Sequence, residues 1–193
     1  MASSRSKWIA PVAIIVIVIL IGVFWFVGQQ NRLVTLEEQV SAAWSEVDNQ
    51  LQRRSDLIPN LVATVQGFAG QEQAVFGQIA DARARLAGAQ SVPETAESYT
   101  ELQGALSRLL VIVENYPQLA SNQNFIRLQD ELAGTENRIA VARQRYNNTV
   151  QQFNTRIRLF PSSIVAGRLG FGPREYFEIP ESAREVPRVQ FGS

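Results

Sequence analysis

Cysteine and histidine are both absent from the 193 residues of this protein. It therefore lacks thiol nucleophiles, the common zinc ligands and the side chain that most often serves as a general base near neutral pH. From these absences we expect no catalytic residue, no metal and no cofactor. An excess of one charge is absent as well, because 18 Lys and Arg balance 18 Asp and Glu. Without a basic footprint, nucleic acid is not an expected partner.

One stretch lacks charge altogether. Residues 8–27 read WIAPVAIIVIVILIGVFWFV, and a helix of about twenty residues rises about 30 Å, the thickness of a bilayer's hydrocarbon core. Trp8 and Trp25 lie near its two ends, where amphipathic rings favour the headgroup layer. The stretch predicts a single transmembrane helix with the lipid bilayer as partner. A cleaved signal peptide is the alternative, but residues 24–27, FWFV, lack the small side chains of a cleavage site.

Charges on either side of this stretch indicate its orientation. Arg5 and Lys7 precede it, whereas Arg32 is the first cation after it. The positive-inside rule then places residues 1–7 in the cytoplasm as a short N-terminal tail. The rest of the protein, from residue 28 onward, is expected on the other side of the membrane.

Beyond the span, apolar residues recur at alternating steps of three and four, the period of a helix with one buried face. The first run comprises Leu33, Leu36, Val40, Trp44, Val47, Leu51, Ile58, Leu61, Val65 and Phe68. The step between Leu51 and Ile58 falls on Arg54, which is therefore predicted to point toward the core. Pro59 lies in the same run and lacks an amide proton, so a helix kink is predicted there.

The remaining runs predict an all-α fold. A second long run comprises Phe125, Leu128, Leu132, Thr135, Ile139, Ala142, Tyr146, Thr149, Phe153, Ile157 and Phe160, and two shorter runs lie between the long ones. At about 1.5 Å per residue the two long runs have similar lengths. A turn at residues 67–70 then gives an elongated, antiparallel, up-and-down four-helix bundle over residues 28–160. A single bent helix over residues 31–88 is the alternative.

Residues 161–193 form a tail rich in proline and glycine. Its prolines exclude a long helix, yet it has more large apolar side chains than simple disorder would favour. We expect an irregular tail packed on its own bundle. A neighbouring subunit and the bilayer are the alternative surfaces.

Polar side chains on a buried face need partners, because burial without them is costly. If the two long helices are antiparallel with level ends, paired positions sum to about 190. This pairing places Arg54 opposite Glu136 and Trp44 opposite Tyr146. The predicted buried polar residues of structural role are Arg54, Thr135 and Glu136. An Arg54–Glu136 ion pair would fix the helix register; the alternative is a ligand or catalytic site formed by Arg54, Asp56 and Glu136.

Two blocks of the sequence resemble the bacterial LemA family. The first is Ala43-Trp44-Ser45 followed by QLQRRSDLIPNLV at residues 50–62, and the second is LQDELAGTENRIA at residues 128–140, continued by Phe160-Pro161. With ENYP at residues 114–117 between them, the likeness covers about residues 31–178. The family also includes the magnetosome-associated MamQ proteins.

This resemblance implies a bacterial protein with a single amino-terminal span and an up-and-down helical bundle. Together with the charges around the span, it predicts a signal-anchored inner-membrane protein with its helical domain in the periplasm. It implies no reaction. The interpretation is a non-enzymatic scaffold or adaptor of the cell envelope, acting through coiled-coil-like helical packing. Relatives are often encoded beside membrane proteins with TPM domains or membrane peptidases, which makes such a protein a candidate partner. Because a span holds every copy in one plane, a homo-oligomer is also expected.

Overall fold

The computed structural model describes residues 6–178, with side chains from residue 12 onward. Six helices follow in sequence order: α1 Ser6–Gln66, α2 Gln73–Gly88, α3 Val92–Val113, α4 Pro117–Ala120, α5 Gln123–Arg158 and α6 Ser162–Leu169. No strand occurs between residues 6 and 178, and residues 171–178 are extended or irregular. The described part of the protein is therefore all-helical.

The amino-terminal part of α1 is the apolar stretch noted in the sequence. Its most apolar window has a mean hydropathy of 2.8, and none of that window is buried against the rest of the protein. It is long and apolar enough to cross a membrane, and it is compatible with a membrane anchor. Trp25, near its end, is 42% exposed; the side chain of Trp8 lies outside the described residues.

The polypeptide turns after α1. Because α1 ends at Gln66 and α2 begins at Gln73, residues 31–88 do not form the single bent helix that was the alternative. The amides of Phe68 and Ala69 both donate to the Val65 carbonyl as the helix closes. Phe68, predicted to end the buried face, is 41% exposed, and Ala69 is buried instead. Beyond its last turn a helix no longer sets the direction of the next side chain.

Side-chain caps explain where two helices begin. Ser91 Oγ accepts a hydrogen bond from the Glu94 amide, and the Glu94 carboxylate accepts one from the Gln90 amide. The first of these bonds satisfies an amide of the first turn of α3, and the second ties the residue before the cap to the same turn. At α5, Asn122 Oδ1 accepts from the amides of Asn124 and Phe125.

Residues 6–178 divide into two compact units, and α1 and α5 contribute to both. The anchor unit contains residues 6–42 and 149–174. Its buried apolar side chains include Leu33, Val40, Val150, Phe153, Ile157 and Val165. The larger unit contains residues 43–148 and 175–178. Its core cluster draws on α1, α2, α3, α4 and α5, from Ile58 and Leu61 to Phe125 and Leu132.

The first part of the predicted irregular tail is a helix. Pro161 precedes α6, and Gly170 ends it with φ +74°, a conformation that glycine adopts without the strain of a Cβ. The Phe171 amide then donates to the Ala166 carbonyl, which closes the helix. The prolines exclude a long helix, as expected, but the spacing between Pro161 and Gly170 leaves room for a short one.

Candidate functional site

An ion pair joins α1 to α5 in the larger unit. Arg54 Nη1 lies 2.6 Å from Glu136 Oε2 and donates to the Leu132 carbonyl at 3.2 Å. The Arg54 side chain is 10% exposed and that of Glu136 is 38% exposed. Arg54 is therefore buried, but Glu136, predicted to be buried, is only half-buried because it borders an open cleft.

Two residues of α3 complete this group. Tyr99 Oη donates to Glu136 Oε2 at 2.5 Å, and Gln103 Nε2 donates to Glu136 Oε1 at 2.6 Å. The Arg54 guanidinium lies over the Tyr99 ring, 5.9 Å from its centroid. We call Arg54, Tyr99, Gln103 and Glu136 the polar cluster. It connects three helices of the larger unit through one carboxylate.

The ionisation of Tyr99 follows from this position. Burial, and then the hydrogen bond to Glu136, raise the pKa of Tyr99 far above its usual range. Tyr99 is therefore a neutral donor throughout the physiological range. The helical period does not predict this role, although a tyrosine on a buried helix face signals a hydroxyl that needs a partner.

Of the other predicted polar residues, Asp56 lies apart from the polar cluster, whereas Thr135 lies beside it and shares the Leu132 carbonyl with Arg54. Asp56 does not join Arg54 and Glu136; it is exposed and accepts a hydrogen bond from Gln52 on its own helix. Residues two apart on a helix point about 200° apart, so Asp56 and Arg54 face different directions. Thr135 is 2% exposed, and its hydroxyl donates to the Leu132 carbonyl at 2.8 Å.

Pro59 has no backbone N–H to donate, so one carbonyl of α1 accepts a hydrogen bond from a side chain of another helix instead. The helix continues through Pro59 to Gln66, so the carbonyl of Ser55 has no amide partner four residues on. Arg83 Nε, on α2, donates to this carbonyl at 3.1 Å and lies 3.0 Å from Ser55 Oγ. This contact ties α2 to the proline-containing turn of α1. No feature of the sequence alone singled out Arg83.

Several clefts open on the larger unit, and two of them border residues described above. One, of about 550 Å³, runs beside the polar cluster and has apolar walls that include Leu61, Leu106 and Leu110. The other, of about 650 Å³, lies between α1 and the α2–α3 connection and is lined by Asp48, Gln52 and other residues. Among residues 6–178, no group of three acidic side chains is placed to hold a metal ion.

The described tail packs on its own molecule. In the larger unit, Phe177 is 1% exposed, with its ring 6.0 Å from that of Trp44 and 6.3 Å from that of Tyr99. Trp44 also contacts Tyr146 at 5.2 Å, as the predicted pairing places them. The Phe177 amide donates to Asn147 Oδ1 at 2.9 Å, and Asn147 Nδ2 donates to the Phe177 carbonyl at 3.1 Å.

The anchor unit repeats this two-point contact. Asn154 Nδ2 donates to the Arg174 carbonyl at 2.8 Å, and the Arg174 amide donates to Asn154 Oδ1 at 2.8 Å. The Arg174 guanidinium pairs with Glu37, and Phe171 packs edge-on against Phe153 at 5.9 Å. Residues 179–193, the remainder of the predicted tail, lie outside the described residues.

Comparisons with known proteins identify one family and several relatives. The model of the LemA family matches residues 43–191. Magnetosome protein MamQ 2 of Paramagnetospirillum magneticum is 26% identical over 198 residues, covering 87% of this protein and 73% of that one. Magnetosome protein MamQ of Magnetospirillum gryphiswaldense is 28% identical, covering 76% and 64%. Protein LemA of Metamycoplasma hominis is 24% identical, covering 91% and 80%.

Proposed function

Because this protein belongs to the LemA family, we propose that it is a non-enzymatic scaffold or adaptor at the bacterial cell envelope. It is anchored in the membrane by α1 and acts through helical packing and self-association. The proposed fold of residues 28–160 is an antiparallel four-helix bundle. The contacts of Arg54 with Glu136 and of Trp44 with Tyr146 support this arrangement within the larger unit.

The bonding of Glu136 is the observation on which the non-enzymatic role rests. Both oxygens of this carboxylate already accept hydrogen bonds from the same molecule, and Oε2 also pairs with Arg54. These three contacts use most of the carboxylate's four lone-pair sites, which leaves little capacity for a general base that must accept a proton from its substrate. The polar cluster borders a cleft, but its bonds are directed between helices, which suits a group that fixes register.

The proposed orientation has the N-terminus in the cytoplasm and the helical domain in the periplasm. A reporter enzyme that is active only outside the cytoplasm is expected to be active when fused after Ser193. The physical reason is the pair of cations, Arg5 and Lys7, before the span. Paired fusions carrying a reporter that works only in the cytoplasm provide the control. Activity of the cytoplasmic reporter alone would reverse the proposed topology.

Self-association is the second expectation of the scaffold role. A span aligns identical copies and raises their effective concentration, so weak lateral contacts suffice. The larger unit exposes Leu110, Val111 and Val141, which a second copy could cover. In mild detergent, light scattering is expected to give a protein mass above the 21.5 kDa of one copy. Crosslinking in native membranes should yield adducts of two or more copies.

The tail provides the variant for this measurement. Residues 174–178 pack on their own molecule, so a deletion from residue 173 would damage the fold. Deletion of residues 179–193 spares these contacts. We expect it to lower the number of copies per particle, calculated from the measured mass and the mass of the shortened protein. A monomer at every concentration tested would contradict self-association. Crosslinks to a TPM-domain protein or a membrane peptidase, without self-adducts, would favour the adaptor role over the scaffold.

A further inference from the structure

A corner of the anchor unit exposes large apolar side chains. It joins the end of α5 to α6 and includes Leu159, Phe160 and Ile164, which are 52%, 80% and 60% exposed. Phe160 continues the apolar period of α5, which predicts that it is buried, but α5 ends at Arg158 and Phe160 lies in the turn before α6. We call residues 158–169 the apolar corner.

Hydrogen bonds place this corner beside the end of the span. Gln29 Oε1 accepts from Arg156 Nη2 at 2.6 Å and from Ser162 Oγ at 3.1 Å. These two donors flank Phe160 in the sequence. Gln29 follows the end of the apolar stretch, Val27, by two residues, or about 3 Å along the helix. The headgroup layer beyond the hydrocarbon core is about 5–8 Å thick on each side, so Gln29 lies within it when residues 8–27 span the core.

The charges around the corner match a lipid surface. Residues 149–174 contain four Arg and no Asp or Glu. Arg158 and Arg168, at the two ends of the corner, are both exposed. Apolar side chains that enter the acyl boundary, flanked by arginines that reach the phosphates, are the pattern of an interfacial helix. Exposure of these large apolar side chains to water is unfavourable, and burial in the bilayer interface would remove that cost.

We infer that the apolar corner is a second membrane contact, in which Phe160 and Ile164 enter the bilayer interface and Arg158 and Arg168 bind lipid phosphates. The occupant of this surface is the bilayer that holds the span. This inference rests on the proposed membrane anchoring and adds to it. The span fixes position along the membrane normal, and the corner fixes the tilt and rotation of the anchor unit.

Depth measurements by spin labelling test this contact on the full-length protein. Because the sequence has no cysteine, single variants Phe160→Cys, Ile164→Cys, Gln151→Cys and Ile19→Cys each carry one nitroxide. Vesicles of phosphatidylcholine and phosphatidylglycerol hold the protein. Collision of the label with oxygen, which concentrates in the bilayer, is compared with collision with a water-soluble nickel chelate. Gln151, exposed on α5, is the solvent control, and Ile19 is the control within the span.

The expected ratio of oxygen to nickel collisions at positions 160 and 164 is several-fold above that at 151 and below that at 19. Ratios at 160 and 164 equal to that at 151, with a high ratio at 19, would overturn the corner contact and leave the anchor intact. A low ratio at 19 would overturn the anchor itself. Spin–spin broadening between labels at 164, with protection from both reagents, would assign the corner to a second copy and also overturn the inference.

Discussion

Replacing Glu136 with leucine is expected to lower the free energy of unfolding by about 4 kcal/mol, as when one member of a buried ion pair is removed. The group left behind is Arg54, whose side chain is 10% exposed. Tyr99 and Gln103 lose their acceptor in the same step. Urea titration of the detergent-solubilised protein, followed by helical circular dichroism, measures the change. The loss comes from stranded donors rather than from apolar packing.

Substitution of the other member of the ion pair is the matched control. Arg54→Leu is expected to cost about 2 kcal/mol, because Glu136 is 38% exposed and keeps its hydrogen bonds from Tyr99 and Gln103. The double variant should be more stable than Glu136→Leu alone, since it leaves no charge behind. Costs that simply add in the double variant would show that the two side chains do not act as a pair.

Truncating Phe177 to alanine is expected to cost about 3–5 kcal/mol, the range for a large aromatic side chain removed from a packed site. Its ring is 1% exposed and packs against Trp44 and Tyr99. The two hydrogen bonds with Asn147 hold the Phe177 backbone rather than its ring. The variant should therefore keep the backbone conformation of the tail and lose the ring contacts with Trp44 and Tyr99. The same denaturation measurement applies.

Glu178→Ala supplies the comparison, because Glu178 is the exposed neighbour of Phe177. Its effect is expected to stay within about 0.5 kcal/mol, as for most surface substitutions. Equal stability of the Phe177→Ala protein and the wild type would contradict the role of the tail as part of the larger unit's core. Protection of tail amides from hydrogen exchange offers an independent measurement.

The sequence predicts the buried faces of the long helices well, because burial follows the helical period wherever the helix continues. Leu33, Val47 and Leu61 are all buried as the period requires. The predictions fail at Phe68 and Phe160, which lie just past the ends of α1 and α5. There the backbone turns, and the period no longer determines which way a side chain points.

The polar cluster could be predicted only in part. Two antiparallel helices with level ends can be aligned by numbering, which places Glu136 near Arg54. The register of α3 depends on the turns at residues 67–72 and 89–91, whose conformation no period encodes, so Tyr99 and Gln103 could not be placed beside them. The alternative that groups Asp56 with Arg54 and Glu136 does not allow for the direction of the side chain, because the helix points Asp56 toward Gln52 instead.

The two asparagine contacts with the tail restrict which residue types can stand at positions 174 and 177, but they exclude only proline. Each amide group binds one backbone N–H and one backbone C=O, at Arg174 and at Phe177. Such recognition is indifferent to the residue type at the bound position, yet it excludes proline there, because proline has no N–H to donate. Pro173 is compatible with the arrangement, whereas a proline one residue later is not. Asn147 and Asn154 thus read the tail's backbone and not its residue types.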